Sequence, residues 1–202
     1  AARLLGGEEH EDTYGETPFA SWLQVVSRPA VAAALGPEPG PVPEWPDLPE
    51  EGEAPASRAP PRVTVLGCGL GYQCLFFLAA GWSSVGYDLL LESMVGEAAA
   101  MVERHWLQGR GLDFRVGGAR AAPLSAGGGA PSLLWLNDAA WPPELRVALL
   151  RRAAAELAPG AAVVSYAPEA QSPPPGLRVV EDLLIRTSWG PEEPLWILQR
   201  EP

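Results

Sequence analysis

Residues 63–88 read VTVLGCGLGYQCLFFLAAGWSSVGYD, and the order of their elements decides the fold. A β-branched apolar run leads into Gly67, Gly69 and Gly71, a helix-compatible apolar segment follows, and a second apolar run closes on Asp88. That order is the first half of a nucleotide-binding α/β unit, where glycines let the chain turn sharply and its backbone approach a ligand without Cβ atoms in the way. A carboxylate at the tip of the second strand is placed to accept hydrogen bonds from the vicinal hydroxyls of a ribose. The third glycine carries further information. A dinucleotide fingerprint, GxGxxG, puts its last glycine at position 72, where this chain has Tyr72; Gly71 comes one step earlier and makes GxGxG. This spacing favours S-adenosylmethionine over NAD and disfavours an NAD-dependent oxidoreductase. A plain strand-to-helix turn is the bland alternative.

With 202 residues and 47% apolar content, the chain can bury one substantial core, so one α/β domain plus irregular sequence is expected. The formal charge of −11 argues against a direct nucleic-acid partner, because polyanion binding draws on clustered Lys and Arg, and the 14 present are scattered. Cys68 and Cys74 are too few for a disulfide framework and lack the partners of a zinc site, so both read as reduced core thiols. His10 and His105 have no ligand spacing either, and no metal is expected. No apolar run is long enough to cross a bilayer, and the first residues have neither a signal-peptide core nor transit-peptide basicity. The expectation is an intracellular protein of nucleus, cytosol or organelle.

Working outward, residues 36–61 hold nine prolines and six acidic residues, which exclude regular helix or central strand; this is a linker or surface wrap. Residues 1–35 precede it as an N-terminal helical lid, with apolar residues at helical spacing from Phe19 to Leu35 and a break at Pro29. Residues 62–202 form the core. There the pattern predicts an amphipathic helix over 92–107, a short strand over 112–116, a Gly- and Ala-rich loop over 117–130 and a strand over 132–136 ending at Asn137. A helix started by Pro142 and Pro143 runs to about Leu157, and 161–166 is a strand. Two extended runs, 178–186 and 195–200, follow without a helix between them and form an antiparallel hairpin. The expected architecture is Rossmann-like: a mostly parallel seven-stranded sheet closed by that hairpin.

Four blocks carry a more specific likeness. Residues 13–19 read TYGETPF, 132–143 SLLWLNDAAWPP, 161–168 AAVVSYAP and 178–189 RVVEDLLIRTSW. Together with the glycine turn they resemble the disruptor-of-telomeric-silencing family, the class I S-adenosylmethionine-dependent histone lysine methyltransferases that lack a SET domain. The resemblance spans most of 14–200 apart from the proline segment. It implies that Glu16 receives the methionyl ammonium of the cofactor, that Gly67, Gly69 and Gly71 pass beneath its methionyl and ribose parts, and that Asp88 holds the ribose. It implies further that Asn137 sits beside the sulfonium, its side chain or carbonyl orienting an incoming amine, and that Trp141, Trp189 and Tyr14 wall the acceptor channel. A dry aromatic channel disfavours ammonium over neutral amine, while cation–π attraction helps capture the cation first. Transfer is then an in-line displacement governed by positioning, with no metal and no obligatory protein base.

The chain departs from that pattern at two places. Val65 stands where an acidic residue is expected two positions before the first glycine, and Gly118 stands near the place of an acidic residue that would meet the adenine amino group. The family's basic nucleosome-facing segment has no counterpart. Among the remaining aromatics, Trp135, Trp196, Trp82 and Trp106 read as packing, and Trp141 and Trp189 are as consistent with packing as with a channel. Asp138 reads as a helix-capping or solvent-facing residue ahead of Pro142, with a catalytic carboxylate the lesser alternative. The sequence thus reads as an S-adenosylmethionine-dependent methyltransferase acting on a protein lysine outside the nucleosome. The alternative is a catalytically inactive methyltransferase-like subunit of a larger complex.

Overall fold

The computed structural model describes residues 17–36, 62–89, 111–124 and 132–202. Tyr14, Glu16, His10, the proline-rich segment, the expected helix over 92–107, His105 and Trp106 lie outside the described residues.

Seven strands form one sheet in the order β3-β2-β1-β4-β5-β7-β6: β1 Val63–Leu66, β2 Ser84–Asp88, β3 Leu112–Val116, β4 Leu133–Leu136, β5 Ala162–Ser165, β6 Leu177–Ile185 and β7 Glu193–Arg200. The first five pair in parallel, and β7 runs antiparallel between β5 and β6. β6 therefore points the same way as β1 to β5, and its end, Ile185, joins their carboxyl edge. The expected mostly parallel sheet with a C-terminal hairpin is present, and strand ends differ from the sequence reading by one or two residues. Every residue of β1, β4 and β5 is buried, as strands covered on both faces require. The edge strand β6 instead carries Arg178, Glu181 and Asp182, charges that discourage further strand pairing.

Period-two alternation sends neighbouring side chains to opposite faces. Val63, Val65, Leu133, Trp135, Ala162 and Val164 pack on one face with α1 (Phe19–Val26), α2 (Pro29–Leu35) and α3 (Tyr72–Ala79). Leu66, Leu134, Leu136 and Val163 pack on the other with α4 (Pro143–Glu156), whose Leu149, Leu150 and Ala153 are buried. The break at Pro29 is where the sequence places it: Ser27 caps α1, and Pro29 opens α2. Trp22, Val25, Val31, Ala34 and Leu35 are all buried in the core, so the α1–α2 segment is a structural layer of the sheet. Its larger apolar side chains contribute about 1.5–3 kcal/mol each by burial. A short 3₁₀ turn, Pro168–Gln171, follows β5 without a clear sequence signal. Among the described residues no helix is long and apolar enough to cross a membrane.

Candidate cofactor and acceptor site

The strand order reverses direction between β1 and β4, and in open α/β sheets a ligand crevice lies outside the carboxyl ends of the strands at such a switch point. The glycine turn leaves the end of β1, and Asn137 leaves the end of β4, so both border that point. Gly67, Gly69 and Gly71 all adopt positive φ, at 72°, 51° and 81°. Gly71 is also the residue before α3, where a Cβ would lie 2.2 Å from the Phe114 ring, so both conformation and space demand glycine. The turn folds onto the tip of β2: the Gly67 and Cys68 amides donate to the Tyr87 carbonyl, and the Gly69 amide donates to Asp88 Oδ2 at 2.7 Å. Asp88 is buried at the end of β2, beside exposed Leu89 and the exposed β3 end residue Val116. A carboxylate flanked by apolar edges and a glycine backbone fits the diol and base of a nucleoside.

Across the switch point, the Asn137 carboxamide is fully engaged. Its Nδ2 donates to the Gly67 carbonyl at 2.7 Å and to Gln73 Oε1 at 2.6 Å. Its Oδ1 accepts from Gln73 Nε2 at 3.0 Å and from Trp135 Nε1 at 3.2 Å. Gln73 Nε2 also donates to Thr17 Oγ1 at 2.8 Å, and Thr17 Oγ1 hydrogen-bonds the Tyr166 hydroxyl. Trp189 meets the Tyr166 ring edge-on with centroids 5.4 Å apart. One chain of contacts thus links Asn137, α3, the residue that follows Glu16 in sequence, β5 and Trp189. Trp141 also borders Gly67: a Cβ at position 67 would be 2.9 Å from its ring and 3.4 Å from the Asn137 Cβ. The structure therefore sets Asn137 and Trp141 against Gly67, pairs Gly69 with Asp88, and reaches Trp189 through Tyr166.

Gln73, Thr17 and Tyr166 were not singled out by the sequence. The available signal was Gln73, the one polar side chain within the otherwise apolar YQCLFFLA helix apart from Tyr72, and it is buried. Trp135, read only as packing, also fixes Asn137 through its indole N–H.

The reading of Asp138 is corrected. It neither caps α4, which begins after Pro142 with no side-chain cap, nor faces solvent; it is fully buried. Ser165 Oγ donates to its Oδ2 at 2.6 Å and the Tyr166 amide to its Oδ1 at 2.8 Å, tying the end of β4 to the end of β5. Burial pushes its carboxyl up to about 7, against the lowering effect of those two hydrogen bonds and of the Arg146 charge. Val65 and Gly118 carry no polar side chain toward the edge: Val65 is buried in the core, and a Cβ at Gly118 would meet Leu89. Cys68 and Cys74 are buried thiols, and burial raises the Cys74 thiol to about 12, which keeps it protonated and inert.

No family model matches the sequence, and no curated protein does. The structure is similar to several solved ones. An RNA methyltransferase from Salinibacter ruber bound to S-adenosylhomocysteine aligns over 69% of this chain and 80% of its own, at 17% identity and a TM-score of 0.50. Magnesium protoporphyrin IX methyltransferase from Synechocystis PCC 6803 with bound S-adenosylmethionine covers 70% and 71%, at 17% identity and 0.53. A glycopeptide N-methyltransferase complexed with sinefungin covers 70% and 87%, at 14% identity and 0.53. The fold is the Rossmann-like one of these methyltransferases. Within it, the cluster around Asn137 and the Asp88–glycine turn lie on the two sides of the switch point.

Proposed function

We propose that this chain is an S-adenosylmethionine-dependent methyltransferase whose acceptor is a protein lysine outside the nucleosome. The observation that carries the cofactor reading is the Gly69 amide held on Asp88 at the tip of β2, with Asn137 clamped across the switch point. Solved methyltransferases of the same fold bound to the cofactor, its product or sinefungin support it. The lysine reading rests on the four sequence blocks that resemble the disruptor-of-telomeric-silencing family. The net charge of −11 speaks against a nucleosome or RNA as acceptor, since phosphate contacts would be repulsive.

When bound, the cofactor supplies a methyl group activated on a sulfonium. On this reading Asp88 accepts from the ribose hydroxyls, Leu89 and Val116 bracket the base, Gly67, Gly69 and Gly71 pass beneath the ligand, and Glu16 receives its ammonium. The Asn137 side chain has no hydrogen-bonding capacity to spare, so it serves as a fixed wall, and an amine N–H that bonds Asn137 donates to its backbone carbonyl. Trp141, Trp189 and Tyr14 exclude water around the amine, which favours the neutral nucleophile, and the proton released on transfer leaves to solvent.

A second reading, a catalytically inactive methyltransferase-like subunit, draws on Val65 and Gly118, where polar anchors are absent. Calorimetric titration with S-adenosylhomocysteine separates the two: micromolar binding supports the enzyme, and no heat at millimolar ligand supports the subunit. Labelled cofactor incubated with a lysate, followed by mass spectrometry, tests the acceptor. Label only on nucleic acid or on a metabolite would contradict the lysine assignment.

A further inference from the structure

At the carboxyl edge of the sheet, beyond Trp189, a cavity of about 550 Å³ opens between α1 and the loop after β6. Pro18, Ala20, Ser21 and Gln24 form one wall and Arg186, Thr187 and Ser188 the other. The walls are fastened together: Ser21 Oγ donates to the Arg186 carbonyl at 2.6 Å. The loop is itself fixed by a tight turn in which the Thr187 amide donates to the Gly190 carbonyl at 2.8 Å and the Gly190 amide to Thr187 Oγ1 at 3.0 Å. Among the described residues Arg186 is the only charged one lining the cavity, and its guanidinium makes no hydrogen bond or ion pair there. Other arginines on the molecule are paired: Arg28 with Glu181, and Arg146 with Glu169. Among the described residues Arg186 is thus an exposed, unpaired cation lining a recess of mixed polar and apolar character, on a chain of net charge −11.

The cavity adjoins the proposed acceptor site along both walls. Pro18 follows Thr17, which hydrogen-bonds Tyr166 and Gln73, and Ser188 precedes Trp189, which packs on Tyr166. An acceptor reaching Asn137 past Trp189 would thus lay its flanking atoms in this recess. The overall negative field draws a lysine-bearing segment toward the molecule, whereas the recess itself offers a guanidinium and the Gln24 carboxamide to one anion.

We infer that this cavity is a carboxylate-binding subsite for the methyl acceptor, in which Arg186 takes the side chain of an Asp or Glu flanking the target lysine. The identity of the acceptor rests on the protein-lysine reading above; the carboxylate preference rests on the cavity alone. Two measurements on the full chain separate these. In the first, the Arg186 side-chain Nε–Hε resonance, assigned by its loss in Arg186→Gln, is followed during titration with N-acetylglutamate N-methylamide and with its glutamine counterpart. A saturable shift with the glutamate probe alone is expected, and no shift, or the same shift with both probes, overturns the subsite. In the second, methyl transfer is measured to matched lysine peptides that differ only in Glu, Gln or Lys at each offset from the target lysine. One offset should prefer Glu by about five- to tenfold in kcat/KM, the range of a charge-assisted contact. That preference should vanish in Arg186→Gln and turn toward Lys in Arg186→Glu. Equal use of Glu and Gln peptides would overturn the subsite while leaving the lysine reading intact. A glutamate-specific resonance shift with no methylation of any lysine peptide would remove the lysine reading and keep the subsite.

Discussion

Asp88 and Asp138 are both buried aspartates at the carboxyl end of a parallel strand, yet they meet different partners. Asp88 accepts from the amide of a glycine turn, the irregular segment that borders the crevice. Asp138 accepts from Ser165 and the Tyr166 amide at the end of the next strand, groups fixed by the sheet. One carboxylate thus faces the crevice at the switch point, and the other braces its floor. The difference lies in what packs against each residue and not in the residue type, and it separates a candidate ligand group from a structural one.

The largest effect expected from this contrast is in pH. Asp138 keeps its proton to about pH 7 in the folded chain, whereas the free side chain loses it near 3.8. The folded state therefore binds that proton more tightly, so this residue's stability contribution is full below about pH 4, declines as pH rises from 4 to 7, and is gone above. About three pH units at roughly 1.36 kcal/mol each give about 4 kcal/mol. Denaturant unfolding of the native chain and of Asp138→Asn across that range should show the native chain losing stability relative to the variant as pH rises. Parallel curves would erase the contrast.

Next comes Asp88→Ala. Loss of hydrogen bonds from ribose hydroxyls to a carboxylate should weaken S-adenosylhomocysteine binding about a hundredfold. Asp138→Ala should leave that affinity nearly unchanged while lowering the unfolding free energy. If both variants lose affinity equally, the two carboxylates do not differ as described. Gln73→Ala comes third: it strips two hydrogen bonds from half-buried Asn137 and should cost about 1–3 kcal/mol in unfolding. Restoration by Gln73→Asn is not expected, because the shorter side chain does not span the gap. The smallest effect is that of Arg146→Met, which removes the weakest of the influences that lower the Asp138 carboxyl and should move its titration slightly upward, as read by NMR.

How much of this could be read beforehand depends on the range of the forces involved. The run through β1, the glycine turn, α3 and β2 was legible because β-branched residues, positive-φ glycines and an apolar helix act within a few positions. The Pro29 break and the helix after Pro142 and Pro143 were legible for the same reason. The fate of Asp138 was not. Its cap-like position ahead of a proline-started helix gave the wrong local answer, since β5 packs alongside and supplies two donors 27 and 28 residues away. The Gln73–Asn137 amide pair joins residues 64 apart, and no short-range pattern marks it.

The sequence by itself determined which segments become strands and helices, where the chain must turn, and that a carboxylate ends the second strand, because conformational preference and apolar periodicity are local properties. The tertiary structure alone decided which polar side chains meet at the carboxyl edge, which aspartate is sealed off, and that Arg186, beside a cavity, has no partner among the described residues. Those outcomes depend on sheet register and on the docking of α1 against β6, and burial converts such long-range neighbours into the charge states and hydrogen bonds on which the chemistry rests.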